Sequence, residues 1–313
     1  MSTLVVESPG LLTTVQDLGR MGYGALGVSP SGAADTVAMR LGNLLVGNPT
    51  GAAVLEMTLL GGRFLFPQGA VVALAGADFG ASLDGRAAEM WTPHVVEPGM
   101  KLVLGATNNY ARCYLAVAGG IRVAPLLGSA ATHLMSGLGG FQGRALRKGD
   151  VLELGARRKR IEPKKVSQAV LLHLKPRKKL RVTDGPQSEL FSQEAKQMFF
   201  GRTFRVSEES DRLGMRLEGA RIPVDGAAEM ITEGVTLGAV QITPSGHPIV
   251  LGVEQQTTGG YPKIANVIGA DLHRLGQLRP RDEIRFERTS LAVARSLWIE
   301  QQRLLNNPAQ LFV

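Results

Sequence analysis

The sequence predicts a mainly β protein built from two related domains, each a strongly curved sheet or barrel that carries one short helix. Three observations support this fold class. The chain of 313 residues contains 39 glycines, which favours many tight turns between short elements. Apolar stretches such as RFLFP, AVVALAG and CYLAVAG have the length of strands. A turn followed by an alternating strand occurs at ALRKGDVLELG (145–155) and again at QLRPRDEIRFE (277–287), which suggests a duplication.

Each half contains one segment with helical periodicity. In the first half, Ser31 is predicted to cap a helix over residues 34–45, which Gly47 ends. In the second half, Pro262 suits the first helical position and Gly276 the end. The apolar stripe of this second helix consists of Ile264, Val267, Ile268, Leu272 and Leu275.

A strongly basic segment separates the two halves. Residues 157–181 contain eleven Lys or Arg and a single acid, Glu162, whereas the whole chain carries a net charge of +8. The segment lacks the aromatic residues that stack on bases, which favours a solvated linker and no nucleic-acid partner; a docking surface for an acidic partner is the alternative. The predicted organisation is a first β domain at 1–160, a basic linker or strand at 161–180, a second β domain at 181–290 and a C-terminal helical tail at 291–313.

The composition argues against several classes of protein. No apolar run reaches the roughly 20 residues that span a bilayer, and the N-terminus lacks the pattern of a signal peptide, so we expect a cytoplasmic protein without membrane contact. A single cysteine, Cys113, and five scattered histidines predict neither a disulfide nor a metal site.

Several nucleotide and cofactor motifs are missing or accidental. Residues 22–27 match G-x-G-x-x-G, but a polar stretch precedes them and residues 28–30 separate them from the helix, so a Rossmann loop is not predicted. The chain has no Gly-Lys dipeptide for a Walker A loop and no G-x-S-x-G elbow. Lys101 lies in PGMKLVL, which is typical of a turn and strand, so we expect no biotin attachment site.

A glycine-rich polar loop runs into each predicted helix, GVSPSGAAD in the first half and EQQTTGGYPK in the second. Helix N-termini offer free N–H groups that suit a carboxylate or a phosphate. Lys263 in a first helical turn would oppose the helix dipole unless an anion is bound, although Thr258 could simply cap the helix and leave Lys263 in solvent. Asp35 suits the dipole of the first helix by itself, so helix stabilisation is the stronger interpretation there.

The stretch SDRLGMRL (210–217) contains a second candidate anion site. Arg212 and Arg216 could clamp a carboxylate with paired N–H donors, and Asp211 could orient one of them. A purely structural Asp–Arg pair is the alternative.

Taken together, seven stretches between residue 4 and about residue 288 resemble the KipA family, also called allophanate hydrolase subunit-two-like proteins. The unit also looks like half of the carboxyltransferase domain of urea carboxylase. The matching stretches are VQDLGRMGYGALGVSPSGAAD, GNLLVGNPTGAAVLEMTLLGG, CYLAVAGGI, SDRLGMRLEG, EGVTLGAVQITPSGHPIVL, QTTGGYPKIANVIGADL and LGQLRPRDEIRF.

This resemblance implies two cyclophilin-like β-barrel domains. Because the family includes the C component of bacterial 5-oxoprolinase, it also implies ATP-dependent opening of 5-oxoproline to glutamate in a complex with two partners, a KipI-like B component and a homologue of the A component. ATP would act in the assembled complex, and the chain alone would be inactive. Two alternatives stay open: a KipA-type regulatory protein that binds a KipI-like kinase inhibitor, and a carboxyltransferase component that acts on urea or a similar small amide.

The resemblance also directs attention to particular site residues. Arg212, Asp211 and Thr257 are the expected catalytic residues, with Arg212 on a carboxylate or phosphate. The expected substrate- or anion-binding residues are Arg20, Ser31, Asp35, Arg216, Gln256, Thr258, Gly259, Gly260, Tyr261 and Lys263. One departure stands out, because the chain has Glu254-Gln255 where the family commonly has Asp-Arg, which removes a positive charge beside the expected site.

Overall fold

The computed structural model describes residues 2–156, 164–175, 177–224 and 230–313. The chain divides into two compact units. The first comprises Met1–Arg20, Ser31–Leu174 and Asn307–Val313, and the second comprises Met21–Pro30 and Lys175–Asn306. Two short segments, Met21–Pro30 and Asn307–Val313, therefore belong to a different unit from the residues that precede them in sequence. Part of the predicted basic linker, residues 161–163 and 176, lies outside the described residues.

The first unit contains two antiparallel sheets. The seven-stranded sheet has the order β11-β12-β1-β4-β9-β6-β7, and the five-stranded sheet has the order β2-β3-β10-β5-β8. The elements are β1 (Thr3–Ser8), β2 (Leu12–Gln16), α1 (Thr36–Leu45), β3 (Val54–Thr58), β4 (Arg63–Leu65), β5 (Ala70–Gly76), β6 (Ser82–Leu83), β7 (Arg86–Ala87), β8 (Pro93–Val96), β9 (Lys101–Val103), β10 (Arg112–Val117), β11 (Ile121–Arg122), β12 (Val151–Leu154) and α2 (Gln168–Leu174).

The core of this unit forms because alternate strand residues point to the same side. Leu4 and Val6 of β1, Leu55 and Met57 of β3 and Phe64 of β4 are completely buried in one apolar cluster. Strand β5 is buried along most of its length because α1 packs on it and on β10.

Helix α1 comes very close to the five-stranded sheet at Gly42. A Cβ atom added to this glycine would lie 3.3 Å from Cβ of Ala75 and 3.5 Å from Cβ of Ala116, so the small residue permits tight packing of helix on sheet. The helix itself was predicted, but its start differs. Asp35 is the N-cap, and its Oδ1 accepts a hydrogen bond from the N–H of Ala38 at 2.9 Å. Ser31 precedes the helix with a left-handed φ of 57°, so the prediction that Ser31 caps it is wrong.

The second unit is a closed barrel with the strand order β13-β20-β17-β18-β15-β14-β21. Strands β13 and β21 pair in parallel, and a separate antiparallel pair, β16 and β19, adds two short strands. The elements are β13 (Lys179–Asp184), α3 (Gln193–Gly201), β14 (Phe204–Val206), β15 (Gly214–Glu218), β16 (Glu233–Gly234), β17 (Ala239–Ile242), β18 (Pro248–Leu251), β19 (Thr258–Gly259), β20 (Lys263–Val267), α4 (Leu272–Leu275), β21 (Glu283–Arg288) and α5 (Leu291–Leu305). A last helix, α6 (Pro308–Leu311), belongs to the first unit.

The predicted helix over residues 262–275 is largely wrong. Its first part is strand β20, which pairs with β13 and β17 inside the barrel, and only Leu272–Leu275 is α-helical. The apolar stripe that suggested a helix is equally consistent with a strand buried on both faces, and strand pairing decides between the two. The unit instead packs α3 into its core, where Phe199 stacks on Phe286 with ring centroids 4.5 Å apart.

The mainly β fold class is thus confirmed, with a closed seven-stranded barrel in the second unit. Among the described residues, no helix combines the length and apolarity needed to cross a membrane.

Candidate functional site

The glycine-rich loop of the second unit connects strands, and it does not lead into a helix. Thr258–Gly259 forms β19, which pairs with β16 so that Gly259 lies opposite Glu233. Lys263 then begins β20 and faces Gln241 of β17 in the barrel register. The free helical N–H groups on which the sequence argument for an anion site relied are therefore not present at this loop.

The loop backbone is held in place by hydrogen bonds to the segment before β17. The N–H of Val235 donates to the carbonyl of Thr257 at 3.1 Å, and the N–H of Met230 donates to the carbonyl of Gly260 at 3.1 Å. The side chains of Gln256 and Thr258 are exposed, and Tyr261 is half-buried. Through the pairing of β19 with β16 and the ion pair of Lys263, this loop lies beside Glu233.

Lys263 is a buried cation with an ionic partner. Its side chain is only 3% exposed, and its Nζ lies 2.6 Å from Oε1 of Glu233, whose side chain is 42% exposed. Gln187 joins this cluster twice, since its Nε2 donates to Oε1 of Glu233 at 2.7 Å and its Oε1 accepts from the backbone N–H of Lys263 at 3.2 Å. The hydrogen bond from Lys263, which has the larger effect, and the one from Gln187 lower the pKa of the Glu233 carboxyl below its usual value.

Gln241 adds a buried amide to the same place. Its residue is 1% exposed, and its Nε2 has no hydrogen-bond partner among the described residues. A Cβ atom built on Gly259 would lie 2.5 Å from this nitrogen and 3.1 Å from Nε2 of Gln256. A side chain at position 259 would therefore require the buried Gln241 amide to shift.

Arg212 forms a buried ion pair with Glu254. Its Nε lies 2.5 Å from Oε1 of Glu254, and the two side chains are 5% and 3% exposed. The Asp211 carboxylate accepts from the N–H groups of Leu213 at 2.8 Å and Gly214 at 3.2 Å, so it closes a turn. Arg216 is exposed on β15. Arg212 and Arg216 thus differ in burial and surroundings, and a carboxylate clamp between them stays a prediction.

In the first unit, Arg20 and Ser31 both bind one loop. The guanidinium of Arg20 donates to the carbonyl of Ala131, and Oγ of Ser31 donates to the carbonyl of Thr132 at 2.8 Å. Asp17 anchors the same loop, because its carboxylate accepts from the Ser129 hydroxyl and the Ala130 N–H, each at 2.6 Å. These contacts give Arg20 and Ser31 a role in holding the loop.

Asp35 belongs to a different buried network of the first unit. Its N–H donates to the Tyr114 hydroxyl at 2.7 Å, and that hydroxyl donates to Oε2 of Glu56 at 2.8 Å. Arg112 lies 3.4 Å from the other oxygen of Glu56. Burial, together with the charges of Glu56 and Asp35, raises the pKa of Tyr114 well above its usual value. The structure therefore places Asp35 in a cap and packing network.

Sequence reasoning missed three residues of the second-unit site: Gln187, Glu233 and Gln241. Gln241 carries only a weak signal, since a polar residue between two apolar ones, as in VQIT (240–243), is also the pattern of a solvent-facing strand position. Glu233 and Gln187 carry none, because they reach the site through strand pairing and a distant turn. Within the described part of the chain, no group of three or more His, Cys, Asp or Glu side chains could hold a metal ion.

The comparisons with known proteins agree on the kind of domain. The family described as carboxyltransferase domain, subdomain A and B, matches residues 26–288. The chain is 38% identical to the C component of 5-oxoprolinase from Escherichia coli (strain K12), over 96% of both proteins. It is 34% identical to the protein of the same name from Haemophilus influenzae, over 91% of this chain and 90% of that one.

A solved structure extends this agreement to three dimensions. The crystal structure of K. lactis urea amidolyase superimposes on 97% of this chain with a TM-score of 0.92 and 33% identity. The chain spans only 20% of that much larger protein. The matched length, the identity and the fold all show that this chain belongs to the carboxyltransferase domain family, subdomain A and B.

Proposed function

We propose that this chain is one component of a 5-oxoprolinase that opens the lactam ring of 5-oxoproline to give glutamate. One observation carries the proposal: the match to the C component of Escherichia coli 5-oxoprolinase extends over 96% of both chains at 38% identity. The match to urea amidolyase of Lachancea kluyveri is 35% identical but covers 17% of that protein. The 5-oxoprolinase component thus corresponds to this chain over almost its full length.

The chemistry of a lactam sets what the site has to provide. Resonance stabilises the ring C–N bond, so water can add to the carbonyl carbon only if negative charge on the oxygen is stabilised. ATP, as the resemblance to the KipA family implies, would supply a phosphoryl group for that oxygen in the assembled complex. This chain would contribute donors for the substrate carboxylate and for the oxygen on which charge develops.

The loop from Gln256 to Lys263 offers such donors. Thr257 and Thr258 provide hydroxyl groups, Gly259 and Gly260 provide backbone that a ligand can approach closely, and Lys263 supplies a positive charge in a nearly dry position. A buried cation interacts more strongly with an anion than a solvated one does. We assign the substrate to this loop and propose Tyr261 and Gln256 as its neighbours.

Arg212 acts on the loop through Glu254 in this proposal. Glu254 lies two residues before Gln256, its N–H donates to the Arg212 carbonyl at 2.9 Å, and its carboxylate pairs with the guanidinium. Arg212 is thereby a positioning residue, and Asp211 shapes the turn that presents it. This explains why a Glu at position 254 is compatible with a site that binds an anion: its charge is already neutralised.

The partners and the compartment are part of the same proposal. A KipI-like B component and a homologue of the A component would complete the enzyme, and this chain alone would not turn over substrate. A cytoplasmic location stays a prediction from the sequence.

The proposal is tested by mixing this chain with its cognate A and B components and ATP, then measuring phosphate and glutamate with and without 5-oxoproline. We expect phosphate release that depends on 5-oxoproline and equals glutamate formation, and no turnover when this chain is left out. Equal turnover without this chain, or none in the complete mixture with all components folded, would refute the proposal. Urea is the matched alternative substrate, because the structural similarity to urea amidolyase favours it as the second candidate.

A Thr257→Ala variant tests the loop directly. It removes a hydroxyl and leaves the carbonyl that binds Val235 in place. We expect a rise in KM or a fall in kcat of about tenfold, since one hydrogen bond to a charged group is at stake. Thr289→Ala, which lies outside this loop and directly after β21, is the control and should leave both constants unchanged.

A further inference from the structure

We infer that Lys263 and Gln241 form a carboxylate-binding donor pair, and that the Glu233 side chain occupies this place until a substrate carboxylate displaces it. The inference rests on the proposed function for the identity of the substrate and on the structure for the site. The first observation is the unused hydrogen-bonding capacity. Among the described residues, Nε2 of Gln241 has no acceptor, and Nζ of Lys263 has only its ion pair with Glu233. Native proteins rarely leave buried donors without acceptors.

The two donors lie on the same side of the sheet. Gln241 and Lys263 are register partners on the antiparallel strands β17 and β20, directly after a shift in register, and the side chains of opposite residues are neighbours. Gly259 lies against the Gln241 amide and opposite Glu233. Gln256 brings a third nitrogen to the same glycine, since its Nε2 lies 3.1 Å from the position of the missing Cβ. The place beside Gly259 is thus lined by two amide nitrogens, those of Gln241 and Gln256, and by Cγ1 of Val235.

The charge and the donor chemistry select a carboxylate. An ammonium group and primary amides offer hydrogens to an anion, and a planar carboxylate can accept several of them at once. Glu233 already demonstrates the fit, because its carboxylate accepts from Gln187 and pairs with Lys263. A small ligand carboxylate in this position would reproduce these contacts and could add the Gln241 amide.

The exposure of the three side chains makes Glu233 the group that leaves. Its side chain is 42% exposed, whereas Lys263 is 3% exposed and Gln241 is 1% exposed. Glu233 can therefore turn into solvent at little cost, whereas the side chains of Lys263 and Gln241 are buried. The ligand class that follows is a small carboxylic acid that also carries an amide or a lactam. A lactam without a carboxylate should be rejected.

Calorimetric titration of the full chain tests the pair with 5-oxoproline and with 2-pyrrolidinone, the same ring without the carboxylate. We expect saturable binding of 5-oxoproline and at least tenfold weaker binding of 2-pyrrolidinone. Gln241→Leu and Lys263→Met should each weaken 5-oxoproline by about 10- to 100-fold, the range for a hydrogen bond to a charged group. Gln197→Leu and Lys148→Met, both at exposed positions, are the matched controls and should bind like the unaltered chain.

The Glu233→Gln variant tests whether the Glu233 carboxylate competes with the ligand or forms a merely structural ion pair. Removing the competing negative charge should tighten 5-oxoproline binding several-fold. Weaker binding in this variant, with a retained thermal unfolding midpoint, would show that Glu233 supports the ligand and would overturn the displacement.

Measuring the activity of the assembled complex distinguishes a failure of this inference from a failure of the proposed function. If the complex opens 5-oxoproline and the Gln241→Leu and Lys263→Met variants keep the original KM, the donor pair is overturned and the function stands. If the complex does not turn over 5-oxoproline, the function fails, and titration of the chain with acetate and glutamate decides. Carboxylate binding that is lost in Lys263→Met then supports the donor pair, and no binding of either acid overturns it.

Discussion

The buried pair between Arg212 and Glu254 gives the strongest prediction for stability. The substitution Glu254→Gln keeps the size of the side chain but removes its charge, so that the buried Arg212 guanidinium loses this carboxylate partner. The atoms are 2.5 Å apart and both side chains are at most 5% exposed, so solvent cannot replace the lost partner. Breaking such a pair costs about 3–5 kcal/mol. At roughly 2–4 °C per kcal/mol for a chain above 150 residues, the unfolding midpoint should fall on the order of 10 °C.

Urea unfolding and thermal unfolding, followed by circular dichroism, measure this effect. Arg216→Ala is the matched control, because Arg216 is an exposed arginine in the same stretch and should change stability by about 0.5 kcal/mol or less. The double variant Arg212→Met with Glu254→Leu should be more stable than Glu254→Gln, because both charges of the ion pair are then removed together. A loss below about 1 kcal/mol in Glu254→Gln, or a double variant less stable than the single one, would refute the reasoning.

Three further predictions concern the first unit. Asp35→Ala removes the N-cap of α1 and should cost about 1 kcal/mol of unfolding free energy in urea; an unchanged midpoint would exclude the cap. Tyr114→Phe deletes the hydroxyl between the Asp35 N–H and Glu56 and should cost about 1–3 kcal/mol in the same assay, whereas a neutral result would contradict the network. Arg144 lowers the pKa of Asp150 in the folded protein, so this pair stabilises above the unfolded carboxyl pKa of about 3.9 and loses its effect as the pH falls through the lower folded pKa. Asp150→Asn should therefore flatten the decrease in stability between about pH 5 and pH 2, and an unchanged slope would count against it.

The sequence predicts the fold class well because its signals are local. Glycine-rich turns, short apolar strands and the periodicity of α1 each depend on a few neighbouring residues. The exact cap of α1 is harder, since Ser31 and Asp35 are both good N-cap residues. Asp35 is the N-cap in the structure because the Ser31 hydroxyl donates to the carbonyl of Thr132 instead. These two residues are 101 positions apart in sequence, so local patterns do not contain this contact.

The strand β20 shows a second kind of limit. The residues from Lys263 to Val267 have apolar positions that satisfy helical spacing, and Pro262 before them resembles a helix start. Pairing with β13 and β17 closes the barrel and outweighs this preference. The position of Lys263 changes accordingly from an assumed helical turn to a buried strand.

The buried strand position of Lys263 strengthens the inference that Lys263 binds a carboxylate. A lysine in an exposed first turn needs no anion, because water solvates its charge and the helix dipole costs little there. A lysine that is 3% exposed in a barrel wall does need one, since an uncompensated buried charge is strongly destabilising. The chain meets this need with Glu233, a residue that is itself half in solvent and held by Gln187. In a purely structural pair we would expect a buried acid, as Glu254 is in its pair with Arg212. An exposed counter-ion over a buried cation is the arrangement that a competing carboxylate can replace.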